Sequence, residues 1–211
     1  IEAFNLQNRA IEFCLFLSIP AAAALVIGSN EIVTSLFGYG SFNIDSVNNT
    51  ALALTFFAYG VPAFAILKIL SNFFFSRNDT KTPFYLSVFS VTLNIIISIS
   101  FFSTVGFIII PIATSISSWF NSVTLFLFLK NRQLFNFNQI FFIKFIKIVI
   151  ASILMGLFFK FLLNFFQNEL VFNNAIKSFY LVLSVILGLL FYLIVCYFFK
   201  AFKMTDIKLK Y

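Results

Sequence analysis

Residues Pro83–Val105 read PFYLSVFSVTLNIIISISFFSTV, twenty-three consecutive positions without one charged side chain. Wound as an α-helix, that run is about 35 Å long, enough to cross a hydrocarbon core of roughly 30 Å. No charge interrupts it that a water-facing surface would need. The short alternating strands of a membrane barrel are absent as well. Gly106 follows, and a second run of the same kind extends over 107–130. Working outward, four further apolar stretches lie at about 10–28, 51–75, 141–166 and 176–200. Lipid offers no hydrogen-bond partner to an open backbone, so such runs are predicted to be helices. The fold expected is all-α: a polytopic transmembrane bundle of six spanning helices.

The whole chain agrees with that stretch. Of 211 residues, 61% are hydrophobic and 10% charged, with a mean hydropathy of +1.03. Soluble domains carry about 25% charged residues, so these polar side chains are too few to clothe a water-facing surface. A cytoplasmic enzyme, a nucleic-acid module and a disordered tail are all excluded on that ground. Histidine is absent, which removes histidine-based triads and metal clusters. Cys14 and Cys196 lie far apart within apolar runs, a poor arrangement for a structural disulfide. GxGxxG, P-loop, GxSxG and CxxC motifs are missing, and no acid, base and nucleophile converge within the spans, so an enzyme is not expected. The net charge of +7 is placed at the ends of apolar runs, where it orients a membrane protein rather than binding nucleic acid.

The connections set the predicted orientation. Arg9 precedes the first span, and loop 76–82 carries Arg77 and Lys81. Segment 130–147 carries Lys130, Arg132, Lys144 and Lys147, and the tail carries Lys200, Lys203, Lys208 and Lys210. The intervening loop 29–50 has Glu31 and Asp45 but no basic residue, and loop 167–175 has Glu169, with Lys177 just inside the next helix. Basic and non-basic connections alternate across all six spans, so both termini are expected on the cytoplasmic side. Thr82-Pro83 reads as a helix cap followed by proline at the first helical position. Glu31–Phe37 reads as a short interfacial helix on the outer side. The chain starts at Ile1, without an initiator methionine, and reads as the C-terminal fragment of a longer protein.

Polar groups inside the apolar runs are the positions where function is sought. Lys68 lies seven residues before the inner end of span two, about 10 Å deep. It either snorkels to the interface or faces a wet cavity that holds an anionic substrate. Glu12, three residues after Arg9, is expected to pair with it on one helix face. Lys160 is expected to snorkel outward. Ser90, Asn94 and Ser98 recur every four residues in span three, opposite Thr114, Ser118 and Asn121 in span four. These stripes serve packing, a cavity wall, or a cation site built from oxygens. Pro20, Pro62 and Pro111 fall within spans one, two and four, where each permits a bend. Spans five and six carry small-xxx-small pairs, Ser152/Gly156 and Ser184/Gly188, which let backbones approach closely. The chain therefore divides into a more polar four-helix part, 1–130, and a second part, 131–211. The second part holds a cytoplasmic linker, a lipid-facing helix pair and the basic tail.

Several segments together resemble one family. Ser35-Leu-Phe-Gly-Tyr-Gly-Ser-Phe42 is similar to its outer loop. Tyr59-Gly-Val-Pro-Ala-Phe64, Lys68-Ile-Leu70 and Phe74-Phe-Ser-Arg-Asn-Asp-Thr-Lys-Thr-Pro83 resemble its tenth helix and the cytoplasmic loop that follows. Ala113-Thr-Ser115 and Ser118-Trp-Phe-Asn121 resemble its twelfth helix. The family is MurJ, also called MviN: bacterial lipid II flippases of the multidrug/oligosaccharidyl-lipid/polysaccharide exporter superfamily. The resemblance covers essentially the whole chain and is most specific over 59–83.

The resemblance implies fourteen helices in two lobes around a central cavity, of which this chain supplies helices nine to fourteen. It implies a multi-pass protein of the bacterial inner membrane that serves peptidoglycan biosynthesis. The implied substrate is lipid II, a disaccharide-pentapeptide on undecaprenyl diphosphate, moved by alternating access. Coupling would be to membrane potential or to a cation, sodium or proton, with no other cofactor. Implied partners are that substrate, membrane lipids and an N-terminal lobe of the same chain that bears the main arginine cluster. Lys68, Asn94 and Asn121 become candidates for the substrate cavity. Arg77, Asp79, Lys81 and Pro83 form the cytoplasmic loop motif. Asn94, Ser98 and Thr114 match a cation site, with Ser98 where an acidic ligand is expected. The competing readings are a flippase for another polyprenyl-linked polysaccharide, a multidrug exporter, and a membrane scaffold that transports nothing.

Overall fold

The computed structural model describes residues 2–200, with side chains from Phe4 onward. Lys203, Lys208 and Lys210 of the basic tail lie outside the described residues. The helices are α1 (Glu2–Ile27), α2 (Ser29–Phe37), α3 (Ile44–Ala58), α4 (Val61–Phe75), α5 (Lys81–Val105), α6 (Ile109–Asn131), α7 (Gln139–Phe165) and α8 (Lys177–Phe198). A 3₁₀ turn, Gly106–Ile108, joins α5 to α6. No strand occurs among the described residues. The stretches Phe4–Ile27, Lys81–Asn131, Gln139–Phe165 and Lys177–Phe198 are long and apolar enough to cross a membrane, and α3 with α4 passes as one interrupted span.

The sequence reading differs from the structure at identifiable places. Span two is not a continuous helix over 51–75: it begins at Ile44 and is interrupted at Tyr59–Gly60. Asn43 starts it early, because its side-chain oxygen accepts from the Ser46 N–H at 2.8 Å. The interruption follows from Pro62, which has no N–H to return to the Ala58 carbonyl. Pro62 thereby becomes the second residue of α4, and Pro111 falls in the first turn of α6, positions where proline costs little. Only Pro20 lies in a helix interior. The expected Thr82 cap is replaced by Asp79, whose carboxylate accepts from both the Thr82 N–H (3.0 Å) and the Thr82 hydroxyl (2.7 Å).

The chain packs as two compact units. One comprises α1 through Ser18 together with Tyr59–Phe145; the other comprises Ile19–Ala58 and the chain from Ile146. These are divisions of packing, whereas the 130/131 boundary was drawn on polarity.

In the first unit α6 is central. It packs on α4 and α5 and buries Ala113, Ser117, Ser118, Asn121, Leu125 and Leu129. The α5–α6 hairpin turns at Gly106, whose φ of 73° and ψ of −154° suit glycine alone. The linker after α6 is fixed by phenylalanine: Phe135 is buried, and the Phe137 and Phe141 rings stack at 4.2 Å. Asn8 of α1 reaches the same linker, donating to the Asn136 carbonyl at 2.9 Å.

In the second unit Val33, Val47 and Ala51 form a small core under Phe42, Leu54 and Phe172. α7 and α8 meet through the stacked Phe158 and Phe191 rings at 4.4 Å. Their outer faces leave Leu157, Phe161, Val182 and Leu189 exposed, which lipid tolerates and water does not.

Candidate functional site

The α5–α6 seam gathers most of the polar residues singled out in the sequence. Ser90 donates to the Ser117 carbonyl at 2.6 Å. The Asn94 amide donates to the Thr114 hydroxyl at 3.0 Å and, more loosely, toward the Ser117 hydroxyl at 3.4 Å. The Asn121 amide faces the Ser87 hydroxyl at 3.4 Å. The pairs 87–121, 90–117 and 94–114 run in opposite order along the two helices, which makes α5 and α6 an antiparallel hairpin. The Asn121 Oδ1 and Ser98 Oγ atoms are buried and have no partner among the described residues. Asn94 and Asn121 therefore sit in a helix seam. Interhelical bonds of this kind are worth on the order of 0.6 kcal/mol each in a membrane.

Lys68 is placed differently. It projects from α4, exposed, and has no hydrogen bond or ion pair among the described residues. α4 ends at Phe75, so the lysine stands about 10 Å back from that end. Two α6 side chains fix the start of the same helix. Ser122 donates to the Ala63 carbonyl at 2.7 Å, and the Trp119 indole donates to the Tyr59 carbonyl at 2.9 Å. The helix that carries Lys68 is thus anchored at the interruption.

The loop motif forms a clasp. Arg132, at the end of α6, pairs with Asp79 at 2.6 Å, donates to the Thr82 hydroxyl at 3.2 Å and lies over the Phe74 and Phe128 rings. The Thr82 N–H and hydroxyl, then the Arg132 guanidinium, hold the Asp79 carboxyl down at about 2. Its folded value is depressed, so its contribution to stability is present above the usual 3.8 and lost only as pH falls through about 2. Arg77 donates to the Phe73 carbonyl at 2.6 Å. Pro83 is buried and Lys81 exposed. Arg77 and Asp79 are thus tied into local structure, while the Lys81 side chain is open to solvent.

Glu12 does not pair with Arg9. Its carboxylate, 6% exposed, meets the Lys144 ammonium at 2.8 Å. A shared helix face permitted the shorter pairing, but Glu12 faces α7 across the unit, and Arg9 stays exposed. Of the small-xxx-small residues, Gly188 packs on Phe159 and Met155 of α7, whereas Gly156 faces Ile27 of α1. Ser152 and Ser184 turn their hydroxyls back to the Ile148 and Tyr180 carbonyls within their own helices.

The sequence reading missed three residues: Arg132 as partner of the loop motif, Lys144 as partner of Glu12, and Lys177. Lys177 is 1% exposed and donates to the Gly38 and Phe172 carbonyls at 2.6 Å each. A lysine next to a connection, 167–175, that is otherwise free of basic residues was the available signal.

A coupling cation requires several oxygen ligands, commonly with a carboxylate among them. Asn94, Ser98 and Thr114 offer oxygens but no carboxylate. The Asn94 amide donates to the Thr114 hydroxyl, and that hydroxyl donates to the Ile110 carbonyl at 2.8 Å. No cluster of three or more acidic or cysteine ligands exists among the described residues.

Comparison with known proteins places this arrangement. The sequence profile of the family described as Lipid II flippase MurJ matches residues 1–181. A probable lipid II flippase MurJ from Rhizobium tropici is 39% identical over 131 residues, covering 62% of this chain and 25% of its own length. One from Buchnera aphidicola subsp. Schizaphis graminum is 31% identical over 166 residues, covering 77% of this chain and 32% of its own. A solved lipid II flippase MurJ in an inward closed conformation superimposes with a TM-score of 0.75 at 25% identity, over 94% of this chain and 39% of its own. The chain thus spans about a quarter to a third of the length of the curated relatives it matches.

Proposed function

The chain belongs to the lipid II flippase MurJ family, and we propose that it builds part of a flippase for lipid II or a closely similar undecaprenyl-diphosphate-linked sugar. It is a multi-pass protein of the bacterial inner membrane. In the proposed arrangement α1, α3 with α4, α5, α6, α7 and α8 make six crossings. α5 and α6, 25 and 23 residues long, each suffice for one. Both termini then lie on the cytoplasmic side with Arg77, Lys81, Arg132, Lys144 and Lys147, as the basic residues direct.

The observation that carries the functional reading is Lys68: an exposed, unpaired cation partway along an apolar, anchored helix. A diphosphate moving through the bilayer needs cations in a wet passage, while its polyprenyl tail stays among apolar side chains. The exposed faces of α7 and α8 suit that tail. A coupling cation, sodium or proton, would need a carboxylate or further oxygens in addition to Asn94, Ser98 and Thr114. Alternating access is the mode of transport this division of labour serves, with the Asp79–Arg132 clasp holding α5 and α6 together as one moving element.

The test is Lys68→Ala in the transporter as it occurs in the membrane. Headgroup translocation is expected to fall at least about tenfold at unchanged membrane abundance, with Lys68→Arg retaining most activity. Unaltered transport in the alanine variant would reduce Lys68 to a snorkelling side chain. A second reading applies to Asn94 and Asn121 alone: their place in the α5–α6 seam favours a packing role over contact with substrate.

A further inference from the structure

α2 has only nine residues, so close to half of its backbone groups lack a partner within the helix. Its last turn carries no basic side chain, and Gly38 after it is not in the left-handed conformation of a glycine cap. Gly38 returns its own N–H to the Thr34 carbonyl at 3.1 Å, which leaves its carbonyl and that of Ser35 to be satisfied from elsewhere.

Both are met by the first two residues of α8. Lys177 donates to the Gly38 carbonyl at 2.6 Å, and Ser178 donates to the Ser35 carbonyl at 2.6 Å. The same ammonium donates to the Phe172 carbonyl at 2.6 Å and stands 4.0 Å from the Tyr39 ring centroid and 4.8 Å from that of Phe172. The Tyr39 hydroxyl closes the ring of contacts on Ser178 at 2.9 Å. Phe172 packs so closely on Gly38 that a Cβ there would stand 3.0 Å from its ring. A cation is also what the negative end of a helix dipole attracts. A buried ammonium held by two carbonyls and two rings is held firmly; removing it strands the two carbonyls in an apolar setting.

We propose that Lys177, assisted by Ser178, is a C-terminal cap supplied in trans. It straps α2 and the loop 38–43 to the α7–α8 connection and the start of α8, so that a displacement of α8 carries α2 with it. The strap accounts for a lysine on the side of the chain otherwise poor in basic residues, since its charge is sealed among carbonyls and rings.

Hydrogen exchange of the full-length protein in lipid nanodiscs tests this independently of transport. Lys177→Met is expected to speed exchange of the amides at 34–43 roughly tenfold or more, with those of α5 and α6 unchanged. Ser178→Ala, which keeps the ammonium, is expected to give a smaller rise over the same amides. Where the methionine variant fails to accumulate, Tyr39→Leu, which strips one ring face and the hydroxyl, is read on the same scale. Unchanged protection at 34–43 overturns the strap. So does a rise that is equal throughout α5 and α6, because the lysine would then support the whole fold rather than this corner.

Discussion

A carboxylate that is 6% exposed must have a counter-charge, and Glu12 finds its own in Lys144, 132 residues away in the sequence. Removing Lys144 takes the counter-charge from a buried Glu12 carboxylate, which costs about 3 kcal/mol or more, whereas an apolar pair of similar volume is close to neutral. Lys144→Ala is therefore expected to lower the thermal unfolding midpoint of the detergent-solubilised protein clearly, and Glu12→Met with Lys144→Leu to recover most of the loss. Equal midpoints for wild type and the single variant would mean the pair contributes nothing. The sequence reading assigned Glu12 to Arg9 for a physical reason that is sound as far as it goes: residues three apart share a helix face. Periodicity tells which residues point together. It carries no information about what stands opposite, and that is where Lys144, Arg132 and the carbonyls around Lys177 come from. Lys68 stands out in the sequence for the converse reason: a charge in an apolar run is conspicuous without any knowledge of its surroundings.

At the scale of elements, the most readable features were those written in backbone chemistry. Gly106 between two apolar runs marked the α5–α6 turn, and the structure gives it a φ of 73° with open space where a Cβ would project. The cost of any side chain there is thus conformational rather than steric against neighbours. Gly106→Ala is expected to destabilise the hairpin by about 1–3 kcal/mol, seen as a lowered denaturation midpoint, while Ser103→Ala three residues earlier leaves it nearly unchanged. An alanine variant as stable as the parent would show that the turn adopts another conformation. The interruption at Tyr59–Gly60 was only half legible. Pro62 marked a bend, because its missing N–H is a local fact. Trp119 and Ser122 of α6 then hold the Tyr59 and Ala63 carbonyls near the break, tertiary contacts that no local pattern shows. The same holds for the start of α5, where Asp79 displaced Thr82 as cap because Arg132 steadies its carboxylate.

For the whole molecule, composition alone decided the class of protein, because 10% charged residues cannot coat a soluble fold. The count of crossings is a finer matter, and the stretch Lys81–Asn131 bears on it. It passes as one apolar segment, yet the antiparallel pairing of Ser90 with Ser117 and Asn94 with Thr114 folds it back on itself. If it crosses once, Thr80 and Asn136 lie on opposite sides of the membrane. If α5 and α6 each cross, the two positions share a side, the arrangement that the clasp of Arg132 on Asp79 favours. Single cysteines placed at Asn49, Thr80, Asn136 and Asn173 in an otherwise cysteine-free protein, treated with a membrane-impermeant thiol reagent in intact cells and in inverted vesicles, decide between them. Thr80 and Asn136 are expected to react only in inverted vesicles, and Asn49 and Asn173 only from outside. Labelling of Thr80 and Asn136 from opposite sides would break the hairpin into a single passage, and with it the six crossings and the shared cytoplasmic side of both termini.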